Sequence, residues 1–122
     1  MTVRPVRGMI LKVGLDPVLG HEQGRSRPCV VVQNNAGNRF SSTTIVVPLT
    51  DALHLAAPSP IYVLVKKGDG GIRKDSIALT DQIRAVDFQR VRRSFGVLSS
   101  ETMRKVDQAL LISLGLARGG KA

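Results

Sequence analysis

The stretch PCVVVQNNAGNRFSSTTIVVPLT, residues 28–50, decides the fold. Two runs rich in β-branched residues, PCVVVQ and TTIVVPL, flank a segment of Asn, Gly and Ser that is typical of a turn. The unbroken apolar run at 28–33 predicts a strand that is covered on both faces. Pro48 has no backbone N–H to donate, which predicts an edge strand or a strand end at that point.

Outward from this pair, the sequence continues as short apolar runs separated by polar or Gly-rich turns. Further strands are predicted at 9–15, 61–65, 76–80, 83–86 and 96–98, with a loop at 16–26 and one short helical turn within 87–95. Several short strands in succession, with no repeats and no linker, are typical of one small curved sheet or barrel.

One helix is predicted, at the C-terminus. Ser99 is the expected N-cap, Glu101 lies in the first turn where the helix dipole favours an anion, and Gly115 ends the pattern. Its apolar residues fall on one helical face: Met103, Val106, Ala109, Leu110 and Leu114. The expected domain is 1–116, with a flexible tail at 117–122.

Composition narrows the class of partner. The chain has 18 Lys and Arg against 9 Asp and Glu, a formal charge of +9 in 122 residues, which favours a polyanionic partner. Aromatic residues are only 3% of the sequence, too few for a platform on which successive bases stack. No apolar run approaches the roughly 20 residues that span a bilayer.

The basic N-terminus followed by a short apolar stretch is interpreted as a first strand rather than a signal peptide. The single cysteine, Cys29, excludes an internal disulfide and is expected in the core. The predicted location is cytoplasmic.

Common catalytic and metal-binding motifs are missing from the sequence. It contains no P-loop, no HExxH, no Cys/His ligand cluster and no nucleophile elbow, and its acidic residues are scattered. No metal and no cofactor are therefore predicted. RNA cleavage needs neither, because the ribose 2′-hydroxyl is the nucleophile and an Arg can stabilise the charged transition state.

The best local candidate for such chemistry is the loop GHEQGRSRP at 20–28. It concentrates charged and hydrogen-bonding groups before a buried strand, and Pro28 restricts Arg27 to extended geometry. By composition alone, a solvated, flexible connection with two incidental arginines is the favoured interpretation of this loop.

The segment LDPVLGHEQGRSRPCVVVQNNAGNRF at 15–40 resembles the signature of the MazF/PemK/Kid toxins, with its D-P-x-x-G-x-E-Q-x-x-x-R-P opening. The likeness continues through IVVPLT at 45–50, KDSIALTDQIRAVD at 74–87 and LSSETMRKVDQALLISLGL at 98–116. The resemblance implies a mainly β fold, an SH3-like small barrel of five to seven short strands with a C-terminal α-helix, working as a homodimer.

The same resemblance implies a metal-independent endoribonuclease that cuts single-stranded mRNA at short sequences, leaving a 2′,3′-cyclic phosphate and a 5′-hydroxyl. A cognate MazE-like antitoxin, with a disordered acidic segment, would block the substrate groove. Carried over by position, the catalytic residues are Arg27, Thr50 and Glu22. The positions implied to bind RNA are His21, Gln23, Asn38, Arg39, Phe40, Asp81, Gln82 and Arg84.

Two other functions fit the same fold class. A non-catalytic toxin, like the gyrase-poisoning CcdB group, would bind a protein target, and the matching Arg27 and Thr50 argue against it. A basic nucleic-acid-binding module without catalysis would be expected to carry more exposed aromatic residues.

Overall fold

A computed structural model describes residues 4–15, 26–52 and 59–118. The elements are β1 (Met9–Gly14), β2 (Ser26–Val31), α1 (Asn35–Phe40), β3 (Thr43–Asp51), β4 (Tyr62–Val65), β5 (Ser76–Leu79), β6 (Arg84–Asp87), β7 (Val91–Val97) and α2 (Ser100–Ser113). The predicted class, mainly β with five to seven short strands and a C-terminal helix, is confirmed, and the strands number seven in the described residues.

The seven strands form one antiparallel sheet. Its order is β4-β5-β3-β2-β1-β7, and β6 also pairs with β3. Within the described ranges β4 and β7 do not pair, so backbone hydrogen bonds do not close the sheet into a complete barrel. The turn at Asp69–Gly71, which follows β4, instead packs against β7 and β1.

Strands β1 and β2 are buried on both faces because their apolar residues are consecutive. In β2, Cys29 and Val31 belong to one apolar cluster and Val30 to the other, as the period of two requires. The first cluster, here the helix-side core, lies under α2 and includes Ile10, Val30, Val47, Leu49, Val65, Val106 and Ala109. The second, the opposite core, comprises Leu11, Val13, Leu15, Cys29, Val31, Val46 and Val86.

Pro48 lies inside the longest strand, so the prediction of an edge or a strand end there is wrong. On one side of β3, Pro48 is opposite Cys29 of β2. On the other side, Thr43–Val46 pair with β6 and Leu49–Asp51 pair with β5. Pro48 therefore stands where β3 changes partner, and the missing N–H falls in a gap between two ladders.

The predicted turn at 34–42 contains a short helix. The side chain of Asn34 caps α1 by accepting from the backbone N–H of Gly37 at 2.7 Å. At the other end, the Arg4 guanidinium donates to the carbonyls of Asn38 and Ser41. Contacts with a residue about 35 positions away, which local sequence does not report, help to fix this helix.

The predicted helical turn within 87–95 is correct only in part. Residues Phe88–Arg90 form one 3₁₀ turn, capped by the side chain of Asp87. From Val91 the chain is strand β7, longer than the predicted 96–98, because it pairs with β1 along its length. Tertiary pairing overrides the local pattern here.

Helix α2 begins and ends as predicted. The Ser99 side chain accepts from the backbone N–H of Thr102, and Gly115 has φ +74°, the left-handed conformation that glycine favours after a helix. The Asp69 carboxylate accepts from the backbone N–H and the hydroxyl of Ser99 and from the hydroxyl of Thr102. Burial would raise the pKa of Asp69, but these hydrogen bonds together hold it below its ordinary value.

Arg7 ties three parts of the chain together. Its Nε donates to the carbonyl of Val32 at 2.9 Å, and its terminal nitrogens bind both oxygens of Asp107 in α2. Its backbone N–H also donates to the Asn35 side chain at 2.8 Å. The side chains of Arg7 and Asp107 are 33% and 41% exposed, so solvent partly screens the ion pair.

We expect Arg7→Ala to lower the free energy of unfolding by about 2 kcal/mol, because the Val32 carbonyl also loses its donor. Asp107→Ala should lower the free energy of unfolding by less, because the Arg7–Val32 hydrogen bond remains. Urea unfolding of the two single variants and the double variant would give the coupling free energy between Arg7 and Asp107, which is expected to be about 1 kcal/mol. Strictly additive losses would contradict a stabilising Arg7–Asp107 pair.

Candidate functional site

Arg27 and Thr50 lie on adjacent strands and on the same face of the sheet. The register between β2 and β3 pairs Cys29 with Pro48, Val30 with Val47 and Val31 with Val46. The recorded pairs end at Cys29 and Pro48, and the same register, extended by two residues, would set Arg27 opposite Thr50. Directly opposed residues have Cα atoms about 5 Å apart and project to the same side. The two residues are half-buried, which leaves part of each side chain open to solvent.

The Cys29 thiol identifies the face on which Arg27 lies. Cys29 belongs to the opposite core, as predicted for a core cysteine, and burial raises its pKa to about 12. The positive charges of Arg84 and Arg27 act against that rise. Arg27 is two residues from Cys29 in β2, so the two side chains project to the same face of the sheet.

The register of β6 agrees with this placement of Arg84. Arg84 pairs with Val46 and Val86 pairs with Thr44, so Arg84 projects to the side of the opposite core. Its Nη1 donates to the carbonyl of Leu15 at 3.0 Å. Arg84 thus connects the start of β6 to the end of β1, next to the strand position of Arg27.

Asp81 and Gln82 are exposed in the 3₁₀ turn Thr80–Gln82, which joins β5 to β6. The turn packs against β3. Thr80 anchors it, because this residue is fully buried and its hydroxyl donates to the carbonyl of Ile61. Asp81 and Gln82 are thereby presented beside the segment of β3 that leads to Thr50.

The site is electropositive. Four arginines, Arg27, Arg84, Arg90 and Arg92, surround the ends of β1 and β2, and Arg90 Nη1 donates to the carbonyl of Gly14 at 3.2 Å. The salt bridges among the described residues join Arg7 to Asp107, Lys74 to Asp51 and Lys105 to Glu101, and include none of the four. Such a surface can bind an anion such as a phosphodiester.

Arg39 and Phe40 do not join this group. They belong to α1, which precedes the first residue of β3, whereas Thr50 is near its last. Seven residues of strand separate Thr43 from Thr50, a distance of roughly 20 Å. Phe40 is 81% exposed, with the Arg39 guanidinium 5.9 Å from its ring centroid, so both remain open to contact with a partner.

Asn38 is a structural residue, contrary to the prediction that it binds RNA. It is 1% exposed. Its amide nitrogen donates to the carbonyl of Gln33, and its oxygen accepts from Gln33 and from the hydroxyl of Thr44. These bonds occupy the side chain, which has no surface left for RNA.

His21, Glu22 and Gln23 lie outside the described residues. Within the described ranges, no group of three or more His, Cys, Asp or Glu side chains is placed to hold a metal ion. No described helix is both long enough and apolar enough to cross a membrane.

Arg90 and Arg92 lie close to the site but were not among the residues predicted for it. Their run of arginines is of a kind that usually forms a solvated surface. The contact that distinguishes Arg90 joins it to Gly14, 76 residues earlier. No local pattern could have revealed that contact.

Comparison with known proteins gives a consistent result. Residues 6–114 match the sequence profile of the "PemK-like, MazF-like toxin of type II toxin-antitoxin system" family. The chain is 43% identical over 110 residues to the endoribonuclease MazF of Staphylococcus epidermidis, covering 90% of this chain and 91% of that protein.

Solved structures agree in fold. An endoribonuclease in complex with its cognate antitoxin, from a mycobacterial species, has a TM-score of 0.73 at 26% identity, over 93% of this chain and 97% of that one. A MazE–MazF structure from Deinococcus radiodurans has a TM-score of 0.76 at 24% identity, over 94% and 99%. On its sequence match and its fold, the chain belongs to the PemK-like, MazF-like toxin family of type II toxin-antitoxin systems.

Proposed function

We propose that this chain is an endoribonuclease toxin that cleaves single-stranded mRNA without a metal ion and is neutralised by a cognate antitoxin. The observation that carries the proposal is the antiparallel pairing of β2 with β3, whose register, extended two residues beyond Cys29 and Pro48, sets Arg27 opposite Thr50 on one face. The 43% identity to an endoribonuclease over most of the chain supports the same activity.

In the proposed reaction the ribose 2′-oxygen attacks the adjacent phosphorus. The bond from O2′ to phosphorus forms, the bond from phosphorus to O5′ breaks, and the products end in a 2′,3′-cyclic phosphate and a 5′-hydroxyl. Arg27 binds the non-bridging oxygens as negative charge develops on them, since its planar fork meets two oxygens at once. The Thr50 hydroxyl donates a hydrogen bond to the same phosphate.

Two protons move in this step. One leaves the 2′-hydroxyl, and one is delivered to the departing O5′. Glu22 is proposed to take part in that transfer, which requires surroundings that raise its pKa toward neutrality.

Base recognition is proposed for Asp81 and Gln82, which are exposed beside β3, together with His21 and Gln23 of the sequence that precedes β2. Arg39 and Phe40 are proposed to contact RNA at a distance from the scissile phosphate, Phe40 by stacking on a base. The scarcity of aromatic residues fits hydrogen-bond recognition of a short sequence better than non-specific stacking.

The proposed partners are single-stranded mRNA, a second copy of this chain in a homodimer, and a MazE-like antitoxin with an acidic, disordered segment. The charge of +9 complements both an acidic segment and RNA. The mycobacterial relative, solved with its cognate antitoxin, supports the antitoxin as a partner. The proposed location is the cytoplasm.

The test is to incubate the purified protein with an unstructured RNA, with and without EDTA. We expect discrete fragments in both reactions. Polynucleotide kinase should transfer phosphate from ATP to the new 5′ ends without prior phosphatase treatment, because those ends are hydroxyls. Sequencing those ends would give the recognised bases. Intact RNA would favour a toxin that binds a protein target, and loss of cleavage in EDTA would refute metal independence.

A further inference from the structure

The end of β1 is held by side chains where its backbone pairing runs out. On the β7 side, the pairing of β1 ends at Val13 with Val91, after a shift in register between Lys12 and Val13. The next two carbonyls, of Gly14 and Leu15, accept hydrogen bonds from guanidinium groups: Arg90 Nη1 at 3.2 Å and Arg84 Nη1 at 3.0 Å.

The two donors come from different elements. Arg90 ends the 3₁₀ turn that precedes β7, and Arg84 begins β6. Arg92 of β7 lies against the same point, because its Nη2 would be 3.0 Å from a Cβ placed on Gly14. Glycine at position 14 thus leaves room for the Arg92 guanidinium beside the strand end that Arg90 and Arg84 bind.

This strand end is directly coupled to Arg27. On its other side β1 pairs with β2, with Val13 opposite Arg27 and Gly14 opposite Ser26. A displacement of Gly14 and Leu15 is therefore transmitted through one pair of opposed residues to the backbone that carries the Arg27 side chain.

We propose that Arg90 and Arg84 are positioning residues: they bind the carbonyls of Gly14 and Leu15 and so fix Arg27 relative to the phosphate. For Arg84 this role stands in place of the RNA contact that the sequence predicted. The proposal rests on the proposed role of Arg27. A misplacement of about 1 Å at such a site reduces the rate by up to about 100-fold.

The alternative role for both arginines is direct binding of RNA phosphates, which their charge also permits. The two roles differ in what they predict. Loss of a phosphate contact weakens binding and reduces the salt slope, the slope of log affinity against log salt concentration, by about one. Loss of a positioning contact leaves binding nearly intact and lowers the rate of the chemical step.

The experiment compares R90Q with R93Q, which removes the same charge from neighbouring β7. Arg93 is a suitable control because its guanidinium lies over the Phe95 ring, 4.7 Å from the centroid. We expect R90Q to lower kcat about 10-fold with KM and salt slope unchanged, and R93Q to leave kcat within twofold of wild type. R90K, whose ammonium can still donate to a carbonyl, should recover most of kcat, and R84Q should behave like R90Q.

A second readout does not depend on cleavage. In R90Q the carbonyl ¹³C shift of Gly14 and the amide shifts of Ser26 and Arg27 should change, and in R93Q they should not. Equal kinetics in R90Q and R93Q, a raised KM with a smaller salt slope in R90Q, or unchanged shifts would each overturn the proposal. A wild-type protein that leaves RNA intact would instead refute the proposed function, and the shifts would still test the contact.

Discussion

Arg27→Ala is expected to cleave an unstructured RNA at least 100-fold more slowly than wild type. The extended register of β2 and β3 places this side chain opposite Thr50 on the same sheet face, and no carboxylate among the described residues pairs with it. Removal of one preorganised donor to a developing oxyanion lowers the rate by about 10²–10³ in other enzymes. The fold should persist, because no hydrogen bond or ion pair from this side chain to another described residue is lost.

Single-turnover cleavage of a fluorescent RNA measures the rate, and thermal unfolding checks the fold. Arg93→Ala removes an equal charge from β7 and serves as the control, with an expected change of less than twofold. Arg27→Lys should be intermediate, since an ammonium keeps the charge but not the two-point contact. Wild-type rates in Arg27→Ala would refute the assignment of this residue.

Gly70→Ala is expected to lower the free energy of unfolding by about 3 kcal/mol. Gly70 is buried with φ +64°, and a Cβ added there would be 2.7 Å from Ile10 Cγ1 and 3.0 Å from Leu98 Cδ2. An L-residue in this conformation costs about 1–2 kcal/mol, and overpacking a core adds about 1–3 kcal/mol. The expected fall in Tm is on the order of 10 °C.

Gly68 provides the matched control for this substitution. It belongs to the same turn and also has positive φ, +97°, but a Cβ there would have no neighbour within 4 Å. Gly68→Ala should therefore show the backbone penalty alone. Equal losses in the two variants, measured by urea unfolding, would show that the contacts of Gly70 with Ile10 and Leu98 do not matter.

The strands were predictable from sequence because their burial follows a local pattern. Runs of Val and Ile located β2 and β3 to within two residues, and Ser99 and Gly115 marked the ends of α2. Helix α1 and most of β7 were missed. Arg4 helps to fix α1, and pairing with β1 extends β7. Both sets of contacts join residues that are far apart in sequence.

The site was predictable only through family resemblance. Composition alone favoured a solvated connection for the segment before Arg27, and nothing local links Arg27 to Thr50. The register of β2 and β3, extended by two residues, supplies that link. The resemblance also selected Asn38, whose burial under Gln33 and Thr44 depends on side-chain packing that a motif does not encode.

The solitary thiol of Cys29 has a consequence for the chemistry of the whole chain. With no exposed surface and a pKa near 12, it holds almost no thiolate at neutral pH, so alkylating agents and peroxide should not react with it while β2 remains in the sheet. Its modification must wait for β2 to separate from its neighbours. The rate at which a thiol reagent labels this protein under native conditions thus measures how often its central strands open.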